Sequence, residues 1–124
     1  MDVAVTYRQA LSSGDVPALL DLLASAAEFQ SPFSLWQGRE QLALVYRARA
    51  LAFADLQAIE LLAGGAADTS RAALLWRSVV QGHPVEGCEV LTLAEGRVQR
   101  VDVFLRPAPV LPVVHAAMTA AWPR

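Results

Sequence analysis

Hydrophobic residues are spaced as in helices at the start of the chain and as in strands over most of the remainder. Val3, Tyr7, Ala10 and Leu11 follow the spacing of one helical face, which predicts a first helix starting at Val3. This helix is expected to end at Ser13-Gly14, because glycine readily adopts the left-handed conformation that closes many helices. The chain therefore begins with an amphipathic helix whose apolar side faces a core.

A second helix, a short strand and a third helix are predicted to follow. Asp15 is suited to cap the second helix, whose apolar side carries Leu19, Leu20, Leu22 and Leu23. Alternation over residues 27–31 predicts a strand that ends at Pro32. A loop over residues 33–38 then leads to a third helix from about Arg39 to Ala52, with Leu42, Val45 and Tyr46 facing inward.

Four strands and a last helix complete the predicted order. The strands cover residues 56–63, 72–81, 85–94 and 97–105, and the helix covers residues 110–121. Turn residues separate the strands at Gly64-Gly65, Gly82-His83-Pro84 and Glu95-Gly96, which predicts antiparallel hairpins. Helices first and a strand meander afterwards predict an α+β fold, with one domain over residues 1–124.

Composition adds a surplus of apolar residues that a small core does not need. Hydrophobic residues make up 55% of the 124 residues and charged residues only 18%. A pocket lining, a subunit interface or both would use this surplus.

Charge and terminal sequence exclude several classes of protein. The net charge is −2 and the ten basic residues, all arginine, are scattered, so no basic face for nucleic acid is predicted. The start of the chain lacks the basic and apolar regions of a signal peptide. Prolines interrupt the weakly polar stretch over residues 107–122, so no membrane span is expected. A soluble, cytoplasmic protein is predicted.

Metal and cofactor sites are not predicted. Cys88 is the single cysteine and cannot form an internal disulfide, which suits a reducing compartment. His83, His115 and Cys88 do not have the spacing of metal ligands. Gly64-Gly65 lacks the flanking pattern of a phosphate-binding loop, so no cofactor is expected.

Five segments of the chain carry a further signal: Ser13-Gly14-Asp15 with Leu19-Leu20, Phe29-Gln30-Ser31-Pro32, Gly38-Arg39-Glu40, Glu95-Gly96-Arg97-Val98 and residues 103–107. Together these segments resemble the nuclear transport factor 2-like superfamily, which includes SnoaL-type polyketide cyclases, ketosteroid isomerases and limonene epoxide hydrolases. The resemblance covers nearly the whole chain and is strongest to SnoaL-like proteins. It implies a cone-shaped, curved antiparallel or mixed sheet wrapped around the N-terminal helices, with an added C-terminal helix and an apolar pocket.

The resemblance to ketosteroid isomerases also implies candidate catalytic residues. Tyr7 matches a tyrosine of the first helix that donates a hydrogen bond, and Glu89 falls near a neutral carboxylic acid on a later strand. The proton-abstracting aspartate that precedes a proline in those enzymes is replaced here by Ser31. A serine hydroxyl does not act as a base unless another group activates it. The resemblance therefore implies a pocket that keeps two proton donors and has lost the isomerase base.

Strand faces carried over from the family, together with side-chain alternation, give a predicted ligand-binding lining. Besides Tyr7 and Glu89 it consists of Phe29, Ser31, Leu74, Trp76, Leu91, Val101, Val103 and Leu105 on the strands, together with Val45 on the third helix. The opposite faces carry Arg77, Thr92, Asp102 and Phe104, a mixture suited to an outer sheet surface or a homodimer contact.

Three classes of function stay open at this point. The chain is expected to bind a small hydrophobic oxygenated molecule without isomerising it. Alternatively, it is an isomerase, cyclase or dehydratase acting on a polyketide-, terpenoid- or steroid-like substrate, or a dimerisation module whose interior is plain core. A cavity of about 300–1,000 Å³ would separate the first two from the third.

Overall fold

The computed structural model describes residues 2–65 and 70–123 and confirms the predicted α+β fold. Four α-helices and six strands follow one another within these two ranges. They are α1 (Val3–Ser13), α2 (Val16–Leu22), β1 (Leu23–Gln30), β2 (Leu35–Gln37), α3 (Arg39–Ala52), β3 (Ala54–Gly65), β4 (Ser70–Val80), β5 (His83–Ala94), β6 (Arg97–Arg106) and α4 (Leu111–Ala121). A short 3₁₀ turn, Ala108–Val110, precedes α4.

Two side-chain caps and one glycine determine where the first two helices begin and where the first one ends. Oδ1 of Asp2 accepts a hydrogen bond from the backbone N–H of Val5, and Oδ1 of Asp15 accepts one from Ala18. Gly14 ends α1 with a φ of 68°, a conformation that costs glycine little. Only Gly14 and Asp15 therefore separate α1 from α2.

All six strands form one mixed sheet in the order β2-β1-β6-β5-β4-β3. The pairs β3–β4, β4–β5 and β5–β6 are antiparallel, as the short turns predicted, whereas β1 and β6 are parallel. Register shifts in β3 and β1 interrupt the regular pairing, and such bulges bend strands. The sheet curves around the helices in the way the family resemblance implied.

Some predicted boundaries were wrong. The segment over residues 33–38, predicted as a loop, contains β2, which is too short and too exposed to show a hydrophobic pattern. Strand β1 begins at Leu23, where the sequence predicted helix, and β3 extends to Gly65. The glycines predicted as a turn, Gly64-Gly65, thus belong to a strand, and the connection to β4 lies outside the described residues.

The concave face of the sheet and the inner sides of the helices share one hydrophobic core. Helix α3 packs against β1 and α2, and α4 packs against α3. No helix within the described ranges is long and apolar enough to cross a membrane. The interior enclosed between α3, α4 and the sheet contains the candidate site.

Candidate functional site

Glu89 lies at the centre of this interior, on the inner face of β5. Its side chain is 0% exposed and stands across from Leu74 on β4 and Val103 on β6. The inward orientation agrees with the alternation of β5, where Val85, Gly87 and Leu91 are buried as well. An ionisable group at such a position requires partners, because burying an unpaired charge is very costly.

Three side chains surround the carboxylate of Glu89 with hydrogen-bond donors. Tyr7 donates from Oη to Oε2 over 2.6 Å, and Trp76 donates from Nε1 to Oε1 over 3.0 Å. Arg49 donates from Nη1 to Oε1 and from Nη2, over 3.4 Å, to Oε2. A carboxyl group that accepts from every side is in its ionised, acceptor-only form. Glu89 is therefore an acceptor, where the resemblance implied a donor.

Arg49, which the sequence analysis did not single out, carries the compensating positive charge. Its side chain is only 6% exposed and forms an ion pair with Glu89. The guanidinium carbon also lies 5.1 Å and 5.6 Å from the ring centroids of Tyr46 and Phe29, within cation–π range. Burial lowers the pKa of Arg49, but the Glu89 carboxylate, Tyr7 and Tyr46 together outweigh burial and raise the pKa above its ordinary value.

The two tyrosines extend the hydrogen-bonded group toward the helices. Because Tyr7 gives its proton to Glu89, the 2.7 Å contact between the two hydroxyls is donated by Tyr46 to Tyr7. Both rings are buried and meet edge to face. Burial and the charge of Glu89 raise the pKa of Tyr7, and burial raises the pKa of Tyr46. Both hydroxyls stay protonated and fix the orientation of the carboxylate.

A cavity of about 490 Å³ lies in front of this group, between β1, the sheet, α3 and α4. Most of its lining is aromatic or aliphatic. The lining residues are Phe29, Ser31, Phe33, Ser34, Trp36, Val45, Arg49, Phe53, Trp76, Val103, Leu105, Val114, His115, Met118, Thr119 and Trp122. Arg49 and His115 are the ionisable residues of this lining. The volume is within the range of small-molecule pockets.

Six of the eleven predicted site residues line the cavity: Phe29, Ser31, Val45, Trp76, Val103 and Leu105. The other five do not, because side-chain periodicity in a helix or strand indicates which face points inward but not where the interior is open. Leu74, Leu91 and Val101 lie in the closely packed core. Tyr7 and Glu89 are buried behind Arg49 and Trp76, which separate them from the cavity.

The hydroxyl of Ser31 serves the turn between β1 and β2. Its Oγ accepts hydrogen bonds from the backbone N–H groups of Phe33 and Ser34, at 3.1 and 3.2 Å. It also lies 3.4 Å from the carbonyl oxygen of Ser34. No base contacts this hydroxyl among the described residues, so Ser31 has the geometry of a turn-forming residue.

Two aromatic contacts join the β1–β2 region to α4 and the residue after it, Trp122, at the open side of the cavity. Trp36 stacks on Trp122 with ring centroids 5.7 Å apart, and Phe33 lies against His115 at 5.1 Å. His115 is exposed although it lines the cavity, which identifies this side as the mouth.

The arrangement suits binding better than acid–base chemistry. Glu89 is fully engaged by donors, the tyrosines are buried, and the Ser31 hydroxyl is held by the turn. Arg49 lines the cavity and uses two of its nitrogens on Glu89, so its remaining N–H groups can serve a ligand oxygen. Within the described part of the chain, no group of three or more His, Cys, Asp or Glu residues is placed to hold a metal ion.

Comparison with solved structures shows the same fold in several proteins. An uncharacterised protein of cystatin-like fold from Silicibacter pomeroyi DSS-3 has a TM-score of 0.86 and 24% identity, covering 96% of this chain and 84% of its own. A steroid delta-isomerase from Pseudomonas aeruginosa has a TM-score of 0.85 and 19% identity, with coverages of 95% and 87%.

A third protein, of ketosteroid isomerase-like fold from Catenulispora acidiphila DSM 44928, was solved in complex with trimethylamine. It has a TM-score of 0.73 and 14% identity, and 92% of each chain is covered. Identities this low establish a common fold alone.

Sequence comparison identifies the family. No curated protein matches the chain by sequence. A family model for the SnoaL-like domain matches residues 4–101, which is most of the chain and extends from α1 into β6. The protein therefore belongs to the SnoaL-like domain family.

Proposed function

We propose that this protein binds a small, largely apolar molecule, one oxygen atom of which accepts a hydrogen bond from the protein. The observation that carries the proposal is the 490 Å³ cavity, in which a buried guanidinium is the charged group among mainly aromatic and aliphatic walls. Apolar surface supplies the binding free energy in such sites, and a few fixed polar groups orient the ligand. Arg49 would donate to a carbonyl, hydroxyl or ether oxygen while Phe29, Trp76 and Val103 cover the apolar body.

Binding without isomerisation is the first form of this proposal. General-base catalysis needs a group within hydrogen-bond reach of the substrate that can accept a proton. Glu89 is separated from the cavity and its oxygens already accept four hydrogen bonds. Ser31, which stands before Pro32, has no basic partner to activate it.

An isomerase, cyclase or dehydratase is the alternative, and the position of His115 favours it. His115 lines the cavity near Phe33 and carries an imidazole, a common general base. If His115 transfers protons, a bound ketone in heavy water should exchange its α-hydrogens faster with the natural protein than with His115→Gln. Equal exchange rates with the two proteins would exclude His115 as the general base of such an enzyme.

A homodimer is proposed as the state in which the protein works. Phe104 points outward and is 60% exposed, beside a groove on the outer sheet that Ile59, Leu75 and Cys88 also line. An exposed apolar patch on a monomer is a common mark of an interaction surface. Glu86 and Arg106 form an ion pair at the edge of this groove. A two-fold axis can place Glu86 of one protomer opposite Arg106 of the other, so that opposite charges face each other across the interface.

Tryptophan fluorescence tests the binding proposal directly, because all three tryptophans of the chain line the cavity. We expect 1-adamantyl methyl ketone, a compact apolar ketone without strong ultraviolet absorption at the excitation wavelength, to change the emission saturably. The variant Val103→Phe should weaken the response by filling the cavity. The same substitution on the outer face, Val90→Phe, is the matched control. A natural protein that shows neither a fluorescence change nor heat of binding with this ketone would contradict the proposal.

A further inference from the structure

We propose that the buried Arg49–Glu89 ion pair makes this cavity select neutral oxygenated ligands and reject carboxylates. The inference rests on the proposed binding function and specifies its ligand class. An arginine in a pocket ordinarily suggests an anionic ligand, because the guanidinium matches a carboxylate with two hydrogen bonds. Here that position is already taken by a side chain of the protein itself.

The geometry leaves no room for a second carboxylate to replace Glu89. The carboxylate of Glu89 is fixed on β5, 0% exposed, and accepts from Tyr7 and Trp76 as well as from Arg49. A ligand anion would have to share one guanidinium with a carboxylate that cannot move away. Like charges so close repel strongly in an interior of low dielectric constant.

Charge counting over the cavity leads to the same conclusion. Among the described lining residues, Arg49 is the one permanently charged side chain, and Glu89 directly behind it cancels that charge. His115 is the other ionisable lining residue, and it is exposed at the mouth. The interior is therefore electrically neutral, and entering ions of either sign lose hydration without gaining a free counter-ion. A neutral ligand oxygen loses less hydration free energy and still accepts a hydrogen bond from Arg49.

Arg49 and Glu89 are consequently specificity-determining residues, each with a separate task. Arg49 supplies the hydrogen-bond donor for the ligand oxygen. Glu89 determines whether a neutral or a charged ligand can bind beside Arg49. Glu89 does not line the cavity, so its effect on the ligand is exerted through Arg49. Removing its charge while keeping its shape should convert the cavity into a carboxylate site.

The test compares three ligands of one shape: 1-adamantyl methyl ketone, 1-adamantanecarboxylate and 1-adamantanemethylammonium. Affinities are measured at pH 7.5 by tryptophan fluorescence and calorimetry. The natural protein should bind the ketone at least about tenfold more tightly than either ion, because each ion loses hydration on entry. In Glu89→Gln the carboxylate should become the preferred ligand. Glu60→Gln, the same substitution at an exposed residue of β3 outside the cavity lining, should keep the preference for the ketone.

The outcomes separate this inference from the binding proposal. A natural protein that binds the ketone and the carboxylate equally, or the carboxylate better, overturns the inference and leaves the binding proposal intact. A folded natural protein that binds none of the three overturns both. The comparison of three ligands on the natural protein is decisive even if Glu89→Gln does not fold. An unchanged preference in a folded Glu89→Gln variant would also overturn the role of Glu89.

Discussion

Trp76 and Gly87 face each other on β4 and β5, and the indole of Trp76 occupies the space where a side chain at residue 87 would lie. A Cβ atom built on Gly87 would overlap the six-membered ring of the indole. The glycine thus lets the indole extend along the inner face of the sheet, with Nε1 at 3.0 Å from Oε1 of Glu89. The lack of a side chain at Gly87 therefore allows Trp76 to donate its hydrogen bond to Glu89.

Gly87→Ala should destabilise the protein by about 1–3 kcal/mol, since overpacking a filled interior displaces its neighbours. Urea unfolding followed by circular dichroism measures the change. Gly64→Ala is the matched control, because a Cβ atom there meets nothing within 4 Å. Equal stabilities of the two variants would show that the indole moves aside without cost.

Arg49→Leu should cost about 3–5 kcal/mol of unfolding free energy, because it leaves the Glu89 carboxylate buried without its counter-ion. The double variant Arg49→Leu/Glu89→Leu should recover much of this loss. Arg106→Leu, which breaks the exposed pair with Glu86, should change stability by at most about 1 kcal/mol. If Arg49→Leu has as small an effect as Arg106→Leu, the ion pair is not structural.

Tyr7→Phe should destabilise the protein more than Tyr46→Phe. Tyr7 donates to a charged carboxylate, a bond worth about 1.5–3 kcal/mol, whereas Tyr46 donates to a neutral hydroxyl, worth about 0.5–1.5 kcal/mol. Chemical denaturation of both variants measures the difference. The reverse order would mean that Tyr46 interacts with Glu89 more strongly than its contacts indicate.

Stability should fall at alkaline pH because of the same two tyrosines. Burial raises their pKa in the folded protein above the ordinary value of about 10, which the unfolded chain recovers. Below pH 10 both hydroxyls are protonated in the folded and in the unfolded protein, so they do not make the free energy of unfolding depend on pH. Above pH 10 the hydroxyls ionise in the unfolded chain first, so each tyrosine lowers the free energy of unfolding by about 1.4 kcal/mol per pH unit.

Tyrosinate absorbance checks this prediction, because the chain contains no other tyrosine. The signal should appear only together with unfolding, and Tyr46→Phe should reduce the slope of stability against pH by about half. A folded protein whose tyrosines ionise smoothly around pH 10 would contradict their burial.

The proposed homodimer predicts a concentration-dependent change in mass that one substitution on the outer sheet abolishes. Phe104→Glu places a charge on the apolar patch and should give a monomer by light scattering at micromolar concentration. Leu51→Glu is the control, since Leu51 is 76% exposed on α3 and lies outside the patch. A natural protein that is already monomeric at this concentration would refute the proposal.

Apart from β2, the order of helices and strands could be predicted from the sequence because each has its own periodicity. The inward position of Glu89 followed from alternation in β5. The same rule could not tell Leu91, which is packed, from Val103, which borders the cavity. The depth of a pocket depends on how the helices sit against the sheet, and no local pattern encodes that placement.

Arg49 was missed although the sequence carried a signal for it. It follows Leu42, Val45 and Tyr46 at helical spacing, so it occupies the buried side of α3 that those residues define. Arginine is rarely buried without a partner. An arginine on the apolar side of a helix, in a chain with one carboxylate on a buried strand face, could have indicated the pair.

The aromatic contacts at the mouth bear on the speed of ligand exchange. Trp36 with Trp122 and Phe33 with His115 connect the β1–β2 region to the last helix. A molecule that leaves by this side passes these contacts. Its residence time would then depend on how often Trp36 and Trp122 separate as well as on how well the interior fits the molecule. Of two ligands with equal affinity, the bulkier one would therefore exchange more slowly.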